Sequence, residues 1–138
     1  MTTPTEAAAP VRIRWGRALL GGLLMELILF AITGLFYGLG RIVDLPRFVL
    51  PATAIAAILA GMWVARRVER PVLHGALAGI AAILLYVVLA VIGALVAPEQ
   101  ADYTTALSPA YLASHALKVL GAMAGAWLVA RRRNPLAA

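Results

Sequence analysis

The sequence predicts an all-α integral membrane protein, a four-helix bundle of two tandem helical hairpins with both ends cytoplasmic. Three observations predict it. Four apolar runs are each long enough to cross a hydrocarbon core of ~30 Å, which takes roughly 20 residues per helix. Arginines gather at the ends of those runs rather than within them. Of the 138 residues 63% are hydrophobic, against ~45–50% in soluble domains, and no segment outside the runs is long enough to fold alone.

Residues 1–10, MTTPTEAAAP, are small, polar and proline-containing, the composition of a disordered tail. The four-span domain is expected over residues 11–133. Arg12, Arg14, Trp15 and Arg17 make a basic and aromatic membrane edge. Span 1 follows at about 18–39. Its apolar run exceeds that of a secretory signal and no small-x-small site follows, so it reads as a retained span. Arg41, Asp44 and Arg47 fall in a short turn. Span 2, about 48–65, is the shortest and carries Pro51 early enough to be tolerated or to bend its first turns. Arg66, Arg67, Glu69 and Arg70 form the second turn, and Pro71 suits the first position of a helix. Span 3, about 72–97, is the longest and should tilt. After a loop with Glu99 and Asp102, Ser108 and Pro109 read as an N-cap followed by a first-turn proline. Span 4 is about 109–130, closed by Arg131, Arg132 and Arg133, and residues 134–138 form a loose end.

Orientation follows from the arginines. Arg12, Arg14, Arg17, Arg66, Arg67, Arg70 and Arg131 to Arg133 lie on one side, and only Arg41 and Arg47 on the other. Positive charge is retained on the cytoplasmic side, so both termini should be cytoplasmic in a multi-pass protein of the inner (plasma) membrane. Trp15, Trp63 and Trp127 each lie within four residues of an arginine on that side and read as interfacial anchors. Tyr37, Phe48, Tyr103 and Tyr111 would mark the opposite interface.

Composition excludes several roles. A soluble catalytic domain has no room. The net charge of +6 invites a nucleic-acid reading, but the arginines do not share one soluble face. Anionic lipid headgroups are the expected counter-charge, beside the bilayer itself. There is no cysteine, so disulfides and thiol chemistry are absent. His74 and His115 fall at different depths and make no metal site; His74 is expected at the interface. No Ser/His pair, metal cluster or paired carboxylates stand at working spacing, so neither catalysis nor a cofactor is expected.

Leucine gains nothing by leaving lipid, so close backbone approach must hold the helices together. Gly34 and Gly38, Gly75 and Gly79, and Gly121 and Gly125 are glycine pairs at the required four-residue spacing, and Ala57 with Gly61 supplies span 2. They suit a compact bundle or a homo-oligomer. Spans 2 and 4 also echo one another: Gly61, Trp63 and Arg66 to Arg67 recur as Gly125, Trp127 and Arg131 to Arg132, with one residue of slippage. The echo suggests two similar hairpins pointing the same way.

One acid and one base lie inside the apolar runs. Glu26 stands nine residues past Arg17, ~13 Å deep, and Lys118 thirteen residues before Arg131, ~20 Å deep. A direct bridge is open but not implied, and a water or Tyr86 could mediate. A central charge costs roughly 2.5–3.5 kcal/mol and each Leu, Ile, Phe or Val returns roughly 0.3–0.6. Span 1 carries Glu26 unaided. The six such residues of span 4 return about 2–4 kcal/mol against Lys118 plus His115, so span 4 needs a partner helix, and span 1 is the natural one. Gly22, Glu26, Thr33 and Tyr37 share one helical face; Tyr111, Ser114, His115, Lys118, Gly121 and Gly125 share another. Glu26, Lys118, His115, Thr33 and Tyr86 are therefore the candidate intramembrane polar site. Two roles stay open: polar glue that fixes helix pairing, and a proton or ion relay.

The glycine-bearing first span from Gly16 to Gly22, the closing run Gly61 to Arg67, and His74-Gly75 to Gly79 opening span 3 resemble the small bacterial four-span membrane proteins of the YrzE-like group. That resemblance implies the fold and no activity. A first-span glutamate is also similar to that of the small multidrug exporters, which exchange protons for cationic drugs. Those proteins are shorter and weaker in charge bias, and a lysine facing the glutamate would repel a cation. The expected function is a non-enzymatic scaffold or accessory subunit, packed against itself or a larger membrane complex. The alternative is a small proton- or ion-coupled transporter using Glu26 and Lys118.

Overall fold

The computed structural model describes residues 12–39, 45–98 and 108–133. The tails 1–10 and 134–138, Arg41, Asp44, Glu99, Asp102 and Tyr103, and the side chains of Tyr37 and Arg47, lie outside the described residues. Within them the chain forms four helices: α1 Trp15–Gly38, α2 Leu45–Ala65, α3 Pro71–Val96 and α4 Pro109–Arg133. All four are long and apolar enough to cross a membrane, which makes the chain a multi-pass membrane protein.

Helix ends follow local chemistry. α1 begins at Trp15, before the apolar run, because the Arg14 carbonyl accepts from the amides of Arg17 and Ala18 at 3.0 and 3.2 Å. Pro51 sits inside α2. Pro71 opens α3, where its missing N–H costs nothing. Ser108 caps α4: its Oγ accepts from the Tyr111 amide at 3.3 Å. α4 continues through its three terminal arginines, whose charge opposes the negative end of the helix dipole.

Packing inverts the rule for soluble proteins. The core holds Met25 and the alanines Ala56, Ala57, Ala60, Ala82 and Ala122. Leu19, Leu23, Leu27 and Phe30 of α1 and Leu84, Val88, Ile92 and Leu95 of α3 point outward. Contiguous apolar surface on this scale is unsustainable in water and ordinary in lipid.

α1 packs on α2 and α3, and α4 packs on the same two, but α1 and α4 do not pack on one another. They therefore stand at opposite corners. This corrects the sequence expectation that span 1 is the helix beside span 4. The cause is the small-residue pattern. Gly61 lies against the backbone of Ala122, and Gly125 lies against that of Ile58. Each glycine thus meets the residue three positions before the other, and the interface of α2 with α4 is reciprocal. On α3, a Cβ at Gly75 would stand 2.6 Å from the Ala122 carbonyl oxygen, and one at Gly79 2.6 Å from Val119 Cα. Gly121 abuts Ala57, and Gly21 and Gly22 of α1 abut Val64 and Ala82. By contrast, a Cβ on Gly34 or Gly38 would meet nothing within 4 Å. That pair has the spacing of a packing motif and no neighbour among the described residues.

Candidate functional site

Glu26 and Lys118 meet across the long diagonal of the bundle. Lys118 Nζ donates to Glu26 Oε1 at 2.5 Å, and the two side chains are 3% and 5% exposed for lysine and glutamate respectively. Depth counted from the arginines separates them by more than a turn. The long lysine side chain spans the difference. No other ion pair occurs among the described residues.

Removing two charges from water costs several kcal/mol each, and contact offsets that cost only with good geometry and further partners. Tyr86 of α3 supplies one: Lys118 Nζ lies 4.9 Å from its ring centroid, a cation–π distance. Tyr86 thus stands beside the bridge and does not mediate it. Its hydroxyl accepts from that of Tyr111. Tyr86, Tyr111 and His115 close an aromatic triangle, with centroids 5.2 to 5.4 Å apart. Tyr111, near the start of α4, belongs to this triangle.

Beside the pair lies a cavity of about 320 Å³, lined by Glu26, Thr33, Thr53, Tyr86, His115 and Lys118 among others. Thr33 spends its hydroxyl on its own helix, donating to the Leu29 carbonyl at 2.7 Å. Ser114 likewise donates to Tyr111 O at 2.7 Å. Among the described residues two buried polar atoms have no partner: Thr53 Oγ1 and His115 Nδ1. A more apolar space of about 450 Å³ between α3 and α4 shares Tyr86, Tyr111 and His115 with the cavity. The five candidate polar residues therefore line one place. Thr53, from α2, joins them. A lone threonine in an alanine-rich span gives no sequence signal beyond its polarity.

A comparison with known protein families, curated proteins and solved structures finds no match. The site must be read from its own chemistry.

At the arginine-rich end the structure shows a second polar assembly. Arg17 donates to the carbonyls of Val64 and Trp63 at 2.9 and 3.0 Å, capping the end of α2, and its guanidinium lies 4.8 Å from the Trp63 ring. Trp63 is thus a half-buried platform, whereas Trp15 and Trp127 are exposed as anchors would be, Trp127 with Arg131 at 5.3 Å. His74, expected at the membrane edge, is buried at the arginine-rich end, 1% exposed. Its Nε2 accepts from the Arg14 amide at 3.0 Å, which leaves the proton on Nδ1 to donate to the Arg70 carbonyl at 2.9 Å. His74 therefore ties the segment before α1 to the start of α3. Only its position in the fold, and not its spacing, reveals this role.

Proposed function

We propose that this chain is a non-enzymatic scaffold or accessory subunit of the inner membrane, its two hairpins in tandem and both termini cytoplasmic. A kinship with the small four-span proteins it resembles belongs to the same reading. The observation that carries it is the direct pairing of Glu26 with Lys118. Each charge is consumed by the other, and the pair joins two helices whose backbones do not pack on one another. Such a pair specifies helix arrangement more than it stabilises it. Lipid-facing leucines around α1, and the unpartnered Gly34 and Gly38, leave surface for a second copy or a larger complex.

The second reading, a proton- or ion-coupled carrier, is favoured by the cavity with its unpartnered Thr53 and His115. One set of variants separates the two. On the scaffold reading Glu26→Gln and Lys118→Met each lower membrane abundance, and the exchange of Glu26→Lys with Lys118→Glu restores it. On the carrier reading Glu26→Gln leaves abundance intact and abolishes pH-dependent flux in liposomes. Wild-type abundance and no flux change in both single variants would reject both.

A further inference from the structure

Three separate stretches of chain bring arginines to one pocket at the end of the bundle. Arg12 and Arg14 come from the segment before α1, Arg67 from the turn after α2, and Arg133 from the end of α4. With Val68 and Glu69 they line a pocket of about 310 Å³. Four guanidiniums against one carboxylate leave a formal charge of +3 in that space. None of the four is in an ion pair among the described residues. The four side chains are exposed, so solvent screens part of their mutual repulsion, and a bound anion would offset the rest.

The pocket is also built rather than fortuitous. His74 holds the Arg14 amide, and the Arg14 guanidinium donates to the Arg67 carbonyl at 2.9 Å. Below it Arg17 is fixed by two carbonyls of α2. Val68 at its floor is 9% exposed. Rigid guanidinium forks match the oxygens of phosphate better than flexible ammonium groups do. A concavity of about 310 Å³ has room for one phosphate group with its substituent. The exposed Trp15 and Trp127 at the same end place the pocket level with lipid headgroups.

We propose that Arg12, Arg14, Arg67 and Arg133 form a binding site for a single phosphate group, carried by an anionic lipid headgroup or by a soluble phosphate-bearing anion. The site does not depend on whether the bundle is a scaffold or a carrier.

The test uses the full chain in phosphatidylcholine nanodiscs, with phosphatidylglycerol, inorganic phosphate and pyrophosphate as probes. The pocket pair Arg12→Gln with Arg133→Gln is compared with a control pair, Arg66→Gln with Arg131→Gln, which removes equal charge outside the pocket. At ~1 kcal/mol per arginine, the pocket pair should bind the probe about tenfold or more weakly. The control pair should bind as wild type, and both should unfold at the wild-type temperature without probe. Arg67→Gln gives a second reading, since its carbonyl and not its side chain serves the fold. Phosphatidylglycerol binding that neither soluble anion displaces assigns a headgroup; displacement by either assigns a soluble ligand. Equal loss in the two pairs, or no affinity for any probe, overturns the site.

Discussion

Glu26 and Lys118 are each a liability in lipid and a fit when together. Removing one partner strands the other, and stranding a buried charge costs about 3–5 kcal/mol. Glu26→Gln and Lys118→Met should therefore each lower unfolding stability in detergent by about that amount. Replacing both by methionine should recover most of the loss, since apolar isosteres of a buried pair are often neutral or better. Equilibrium unfolding of the four proteins measures this, and a double variant as unstable as the sum of the singles would contradict it. The residues of this site were legible because an acid or base inside an apolar run is conspicuous. Their contact was not, because depth counted along one helix carries no information about the reach of a lysine across two others. The role of His74 was hidden for a related reason: its bond to the Arg14 amide appears only once the segment before α1 is placed.

Glycine spacing marks where helices can approach, and only the assembled element shows where they do. Gly125 lies against the backbone of Ile58, while Gly34 lies against none of the described residues. Gly125→Leu should force α2 and α4 apart and destabilise by about 1–3 kcal/mol, the usual cost of overpacking. Gly34→Ala should be neutral, or stabilising by up to about 1 kcal/mol through helix propensity. Thermal unfolding of each variant distinguishes them, and a Gly34→Ala loss that matches Gly125→Leu would mean that the first glycine also faces a helix. The four helices themselves were legible from length and hydropathy, and the N-cap at Ser108 from two adjacent residues. Which pairs of helices touch was not, because four equivalent small-residue motifs are compatible with several arrangements of the same bundle.

At the scale of the molecule, small residues and the charged pair lie inside and leucine lies outside, so the bilayer is the solvent for which this chain is built. The proposed orientation has a direct check, made simple by the absence of cysteine. A single Arg66→Cys should react with a membrane-impermeant maleimide only after the cytoplasmic side is opened, and a single Pro98→Cys should react in intact cells. The reverse pattern would invert the topology and move the phosphate pocket to the outer face. Membrane residence was legible because it follows from composition, a property of the whole chain. Orientation was readable as an expectation from charge bias alone, since the bundle has the same internal contacts either way up.

The diagonal pair also imposes an order on biogenesis. Glu26 leaves the ribosome 92 residues ahead of Lys118, an interval of roughly 5–20 s at ordinary translation speed. Throughout it the nascent first span holds an acid whose base has not yet been made, carried in the membrane by the apolar residues around Glu26. Arrival of the last span ends that exposure.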